Sequence, residues 1–177
     1  MTNPLLAAWN APFALPPFAE LADDHFAPAF DAALAEARAN IAAIAGNAEA
    51  PTFANTIAAL ELAEGSLDRV SGVFYNLAGA DATPAREALM RELAPRLSAF
   101  ASEVTNDKAL FARIEHLWQN RDAADLDAEQ VRVLTLYRRM FLRAGAALDG
   151  AAAARMTEVK SRLAILGTSF AQNLLAE

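Results

Sequence analysis

The sequence predicts an all-α fold, a bundle of about six helices preceded by an extended, proline-rich arm. Three observations lead to this prediction. Alanine, which has the highest intrinsic helix propensity, provides 45 of the 177 residues. Apolar residues recur at helical spacing in six separate stretches. Four of the eight prolines lie within the first 17 residues, where they remove backbone donors and restrict the residues before them.

Residues 1–22 form the predicted arm and residues 23–177 the helical domain. A chain of this length fits one domain with its own core, and because it has no cysteine it forms no disulfide. The arm is too rich in aromatic and large aliphatic residues for a disordered tail. We therefore expect it to lie across the helical body through Leu5, Leu6, Trp9, Phe13, Leu15 and Phe18.

The first three predicted helices lie between residues 23 and 104. The first begins at Asp23 or Asp24, either of which can cap free backbone N–H groups, and ends at Gly46. The second begins at the cap Thr52, and the third at Thr83, which precedes a proline at the first helical position. Their apolar faces are Phe26, Phe30, Ala33, Ala37, Ile41 and Ile44; Ile57, Leu60, Leu67, Val70, Phe74 and Leu77; and Leu89, Leu93, Leu97, Phe100 and Val104.

Three further helices are predicted after Asp107. The fifth opens with a capping box formed by Asp127 and Gln130, and the sixth follows Gly150. Their apolar faces are Leu110, Ile114, Leu117 and Trp118; Val133, Tyr137, Phe141, Ala144 and Leu148; and Met156, Val159, Leu163, Leu166, Phe170 and Leu174. The last pattern has no helix-stop signal before Glu177, so we expect a chain that is cut out of something longer.

Charge and hydropathy exclude several classes of partner. Fifteen lysines and arginines against 22 acids give a net charge of −7, which repels the phosphate backbone of nucleic acid. No run of about 18 apolar residues is present, and the N-terminus lacks the basic region of a secretory signal. We therefore expect a cytoplasmic protein with no nucleic-acid or membrane partner.

The two histidines, His25 and His116, do not predict a metal site. They are about 90 positions apart, whereas a zinc site needs at least three protein ligands. We expect both to be structural or surface residues. With no cysteine, Gly-rich phosphate loop or serine elbow in the sequence, we predict no catalytic, cofactor-binding or metal-binding residue in this chain.

Two acidic groups also favour structural roles. Asp122, Asp125 and Asp127 lack the glycine and the spacing of a calcium loop, so we interpret them as a polar interhelix loop that ends in a cap. Asp23 and Asp24 could form a carboxylate pair, but adjacent acids at a helix start are what the helix dipole favours.

The fifth predicted helix carries an arginine stripe formed by Arg132, Arg139 and Arg143. At 100° per residue these side chains share one narrow face, away from the apolar face of that helix. Such a stripe could bind an anion or a peptide carboxylate. A solvated or salt-bridged outer face is the interpretation we favour.

Several short segments have distinctive amino-acid sequences. They include Asn-Pro-Leu-Leu at 3–6, Leu-Pro-Pro-Phe at 15–18, His-Phe-Ala-Pro-Ala-Phe at 25–30, Pro-Thr-Phe-Ala-Asn-Thr-Ile at 51–57, Val-Phe-Tyr-Asn-Leu at 73–77 and Phe-Leu-Arg-Ala-Gly-Ala at 141–146. Together they resemble the N-terminal helical region of the thimet-oligopeptidase family of zinc metallopeptidases, most of all its bacterial peptidyl-dipeptidases and next the oligopeptidase A branch. Ala54, where the family often has Glu, and Pro95, which we expect to kink the third helix, are departures from the pattern.

The resemblance implies a parent enzyme that hydrolyses short peptides, with the release of C-terminal dipeptides as the expected reaction. Its HExxH zinc motif would lie beyond Glu177, so no ligand or general base is carried over to a residue here and this chain alone is expected to be inactive. The implied partner is the C-terminal catalytic part, against which this region would form one wall of a substrate channel. Whether the parent acts as an exo-dipeptidase or an endo-oligopeptidase stays open.

The alternative is a free-standing helical interaction module without catalysis. If the chain is instead a channel-wall region separated from its catalytic part, we expect it to expose an apolar patch. Self-association of the isolated chain would follow.

Overall fold

A computed structural model describes residues 3–156 together with 158, 159, 162, 163 and 166. All regular secondary structure in these residues is helical. The predicted all-α bundle is confirmed. Among the same residues, none of the helices combines the length and hydropathy needed to cross a bilayer.

Six α-helices have defined bounds in the described part of the chain. They are α1 (Phe26–Ala45), α2 (Ala59–Ala63), α3 (Gly65–Ala80), α4 (Pro84–Asn106), α5 (Lys108–Gln119) and α6 (Ala128–Ala144). Residues 150–156 are helical as well. Phe170 and Leu174, the end of the last predicted stripe, lie outside the described residues.

The second predicted helix is not continuous. It starts as a π-helical segment, Phe53–Ala58, continues as α2, and is interrupted at Glu64, whose φ of −103° and ψ of 10° leave the helical region. The chain then resumes as α3. Because the apolar period is nearly unchanged across this break, the sequence pattern could not reveal it. By contrast, α4 runs through Pro95 as one element.

Predicted caps begin three of the helical segments. The Thr52 Oγ1 accepts from the Asn55 backbone N–H at 3.1 Å. The Thr83 Oγ1 accepts from Arg86 N–H at 3.2 Å, and the Asp127 carboxylate accepts from Gln130 N–H at 2.8 Å. Each bond satisfies a donor that the first helical turn leaves free, so these sequence signals act where they were predicted to act.

The end of α6 differs from the prediction. Its apolar pattern continues to Leu148, but the helix ends at Ala144 because Gly145 adopts a left-handed φ of 98°. Ala146 N–H then donates to the Phe141 carbonyl at 3.0 Å, which closes a Schellman-type cap.

The core is built around α1, which contacts α2, α3, α4 and α5. All six predicted apolar residues of its face are buried. Phe74 of α3 is fully buried between Phe26 and Phe30, with ring centroids at 5.1 and 5.4 Å. This aromatic cluster fixes α3 against α1.

The arm contacts the body at its beginning and at its end, but not in its middle. Leu5 is fully buried, and Trp9 packs against the core. The Arg69 guanidinium donates to the Leu5 carbonyl at 3.1 Å and lies 4.8 Å from the centre of the Trp9 ring. Further along, the arm turns through short 3₁₀ segments, and Phe13 is 97% exposed. The expectation that the arm lies across the body through Phe13, Leu15 and Phe18 is therefore wrong, whereas Leu21 at its end packs against the core.

Candidate functional site

Neither histidine has enough neighbouring ligands to bind a zinc ion among the described residues. The Nδ1 of His25 accepts from the Ala22 backbone N–H at 3.1 Å, and its carbonyl accepts from the Asn3 amide at 2.7 Å, so this residue joins the arm to the start of α1. His116 lies on the exposed side of α5. No group of three His, Cys, Asp or Glu side chains within the described residues is arranged to hold a metal ion. These residues do not fit the zinc ion that the resemblance implies.

The acidic residues cap a helix or form ion pairs near the helix ends. Asp127 caps α6, and Asp122 lies 3.8 Å from the Arg121 guanidinium. The cap predicted for Asp23 or Asp24 is wrong, because α1 has no side-chain cap bond. Asp23 instead accepts from Arg86 Nε at 2.8 Å and from the Thr83 hydroxyl at 3.1 Å, which ties the end of the arm to the start of α4.

The predicted arginine stripe lies on the outside of α6. Arg132, Arg139 and Arg143 are all exposed, and none of the three guanidinium groups forms an ion pair or hydrogen bond with another residue in the described part of the chain. Of the favoured interpretation, a solvated or salt-bridged outer face, the solvated form is the one observed in these residues. Leu136 and Met140, between the arginines, are 39% and 44% exposed. The stripe is a mixed basic and apolar surface.

A broad open groove lies between the start of the π-helical segment, the end of α5 and the loop before α6. Its volume is about 800 Å³. Phe53, Leu117 and Leu126 form its apolar walls, and His116 and Gln130 are polar groups at its edge. Its shape suits an extended or helical segment better than a small molecule, because ligand sites for small molecules are generally enclosed.

Buried Arg113 is a feature that the sequence did not single out. Its side chain is 6% exposed and donates to the carbonyls of Asn47 and Glu49 at 2.7 and 3.1 Å and to the Asn55 amide oxygen at 2.9 Å. It thereby fastens α5 to the connection between α1 and α2. Its acceptors are about 60 positions away, so no local spacing signal could have found it.

Trp118 is enclosed by two arginines, which the sequence also did not reveal. The guanidinium carbons of Arg121 and Arg138 lie 4.4 and 5.0 Å from the ring centre. Arg138 also donates from Nε to Glu115 at 2.7 Å, and this hydrogen bond lowers the pKa of the Glu115 carboxyl from its usual value. These contacts join α5 to α6.

A small pocket of about 290 Å³ beside α6 collects three carboxylates. Glu61, Glu64 and Asp68 line it together with Tyr137 and Met140. Burial raises the pKa of Glu64, and the neighbouring charge of Asp68 raises it further. Burial also raises the pKa of the Tyr137 hydroxyl, and the neighbouring Glu61 carboxylate raises it further. No local pattern predicts this cluster, because its acids lie on α2, on α3 and at the break between them, and the tyrosine lies on α6.

The described residues offer contact surfaces of three kinds: the basic and apolar side of α6, the open groove, and the exposed tip of the arm. No protein-family model matches the sequence.

Peptidases of two kinds match nearly the whole chain. Dipeptidyl carboxypeptidase of Escherichia coli (strain K12) is 36% identical over 174 residues, which is 98% of this chain and 26% of the relative. The Salmonella typhimurium protein of the same name is 35% identical over 175 residues. Oligopeptidase A of Escherichia coli is 27% identical over 99% of this chain and 25% of its own length.

The chain spans about a quarter of the length of the curated relatives that it matches. The order of similarity, dipeptidyl carboxypeptidase before oligopeptidase A, is the order predicted from the sequence segments. The predicted resemblance is confirmed, and the matches are consistent with an N-terminal fragment of this peptidase family.

Proposed function

We propose that this chain is the N-terminal, non-catalytic channel-wall region of a zinc-dependent metallopeptidase. The parent hydrolyses short peptides and releases C-terminal dipeptides. The observation that carries this proposal is the match of 98% of the chain to 26% of a dipeptidyl carboxypeptidase. In this proposal the zinc ligands and the general base belong to the remainder of the polypeptide, and no residue of this chain takes part in bond cleavage.

The packing supports a role as a rigid wall. Arg113 and the aromatic cluster around Phe74 hold the helices together with fully buried side chains. A close-packed interior yields little to pressure from a bound chain. A wall of this kind restricts a channel to short, unfolded peptides, because a folded protein cannot deform it enough to enter.

Exposed apolar side chains support the proposal that a large partner packs against this region. Phe13, Leu15 and Phe18 in the arm are 97%, 53% and 50% exposed. Leu163 and Leu166, near the C-terminus, are 62% and 49% exposed. Apolar surface of this extent is typical of an interaction site. We assign it to contact with the C-terminal catalytic part of the same polypeptide, and we place the protein in the cytoplasm.

The gene beyond codon 177 gives the first test. An HExxH motif in the continuing frame is the expected result. A stop codon directly after Glu177 would contradict the proposal and favour a free-standing interaction module.

Three purified proteins give the second test: the parent, the parent lacking residues 1–177, and the 177-residue chain. Zinc content by elemental analysis and hydrolysis of peptides of graded length are measured on each. The parent should hold zinc, lose activity with a chelator and regain it with added zinc. The shortened parent should keep its metal but lose discrimination by peptide length. Unchanged length discrimination in a folded shortened parent would rule out the channel-wall role.

A further inference from the structure

The exposed side of α6 forms a continuous strip of unpaired positive charge and apolar surface. Arg132, Leu136, Arg139, Met140 and Arg143 fall within about 100° of the helix circumference at 3.6 residues per turn. We call the three arginines the basic face and Leu136 with Met140 the apolar strip. Leu136 and Met140 are 39% and 44% exposed, and within the described residues no carboxylate pairs with the three arginines. An arginine that stays unpaired beside exposed apolar surface is well suited to contact another molecule.

Acidic side chains lie directly beside this strip. Glu61, Glu64 and Asp68 line one pocket with Met140, and we call these three residues the acidic face. None of their carboxylates forms an ion pair in the part of the chain that the structure describes, and Glu61 and Asp68 are exposed.

The two faces lie on opposite sides of an apolar strip. Around the circumference of α6, Tyr137 comes next to Met140 on the side away from the arginines, since these two residues are separated by about 60°. The order across the surface is carboxylates, then Met140 and Leu136, then arginines. When a second copy is rotated by 180° about an axis along this strip, its carboxylates lie opposite the arginines of the first copy. The surface is therefore complementary to itself.

We propose that the basic and acidic faces form a two-fold interface between two copies of this chain. In an isologous interface each surface patch contacts its counterpart on the partner, so the arginines of one copy meet the carboxylates of the other, twice. The apolar strips of Leu136 and Met140 then meet at the two-fold axis. Both faces are satisfied at once.

Charge favours a second copy over a different partner. A partner that is purely acidic or purely basic would satisfy one face and repel the other. The chain as a whole carries a net charge of −7, so two copies repel in most orientations and attract only where opposite charges are aligned. The proposal goes beyond the peptidase function and does not depend on it, because every residue involved lies in this chain and the measurement is self-association.

Charge reversal of each face tests the proposal on the 177-residue chain. One variant carries Arg139→Glu with Arg143→Glu, and the other carries Glu61→Arg with Asp68→Arg. Sedimentation velocity over a wide concentration range should show a dimer for the unchanged chain. Each variant alone should dimerise at least about tenfold more weakly, because like charges then face each other.

Mixing the two variants gives the decisive measurement. One variant then has acids on both sides of the apolar strip and the other has bases, so a heterodimer should form from two chains that do not pair with themselves. A matched control for the arginine variant is Arg91→Glu with Arg155→Glu. It makes the same change in net charge at two exposed arginines outside the basic face. This control should dimerise like the unchanged chain. Far-UV circular dichroism establishes that every variant is folded.

Added sodium chloride should weaken the dimer, since ionic strength screens paired charges at a surface. A dimer strengthened by salt would instead be an apolar contact opposed by overall repulsion, and would overturn the proposal. A strictly monomeric unchanged chain would do the same, as would folded variants that fail to pair with each other or that dimerise as tightly as the unchanged chain.

Discussion

Replacing Phe74 by alanine should remove the contact that fixes α3 on α1. The Phe74 ring is fully buried and lies 5.1 Å from Phe26, 5.4 Å from Phe30 and 5.1 Å from Tyr75, measured between ring centroids. The Phe30 ring meets it nearly edge-on at 88°. Three other rings therefore lose their common neighbour in Phe74→Ala.

The expected loss in free energy of unfolding is about 3–5 kcal/mol, which is typical of a buried phenylalanine truncated to alanine. We place it in the upper half of this range. Two of the neighbouring rings are themselves buried in helices, so the cavity cannot collapse easily, and each lost ring pair removes about 0.5–1.5 kcal/mol beyond its buried area. For a chain of this size such a loss lowers the melting temperature by about 10 °C or more.

Urea unfolding followed by circular dichroism at 222 nm measures this loss, with thermal unfolding as a second measurement. Leu62→Ala is the matched control, because Leu62 is 78% exposed and both residues favour a helix; its effect should stay within about 0.5 kcal/mol. If Phe74→Ala cost less than about 1 kcal/mol, or no more than Leu62→Ala, the assignment of Phe74 to the centre of the core would be refuted.

Three further changes have defined outcomes in the same unfolding assay. Asp127→Ala removes the cap on α6 and should cost about 1 kcal/mol, whereas Asp127→Asn, which keeps the acceptor, should cost much less. Gly145→Ala should cost about 1–2 kcal/mol because φ there is 98°; a neutral result would contradict the left-handed cap. Burial and Asp68 raise the pKa of Glu64, so its ionised form is unfavourable in the folded state. Glu64→Gln should therefore stabilise the protein near pH 7, and this gain should shrink as the pH falls towards about 4, where Glu64 is protonated in both states. A gain that is equal at both pH values would contradict the burial of that charge.

Local signals were sufficient for the class of fold and for most helix starts. Thr52, Thr83 and Asp127 each accept from a backbone N–H three residues ahead, so the interaction is contained in a sequence window of four residues. The buried face of α1 is also a local property, because the helical period alone brings its apolar residues to one side. The family resemblance is likewise carried by short segments in order along the chain.

Breaks within helices were harder to predict. Glu64 interrupts the second predicted helix without disturbing its apolar period, and Gly145 ends α6 inside a pattern that continues to Leu148. Glycine is tolerated inside a helix and also favoured at its end, so its identity alone does not decide between them. The exposed middle of the arm was missed for a related reason: composition shows that Phe13 is apolar, but not whether a surface is available to bury it.

The sequence by itself determined that this chain is helical, where three of its caps lie and which family of peptidases it resembles. Only the tertiary structure decided how the charged side chains are used. Asp23 pairs with Arg86, 63 positions away, rather than capping α1, and Arg113 reaches carbonyls more than 60 positions away. Arg132, Arg139 and Arg143 of α6 remain without a carboxylate partner in the described residues, although three acids lie beside that helix. The physical reason is one of range: a cap or an apolar stripe acts within one or two helical turns, whereas the pairing of charges depends on how whole helices pack.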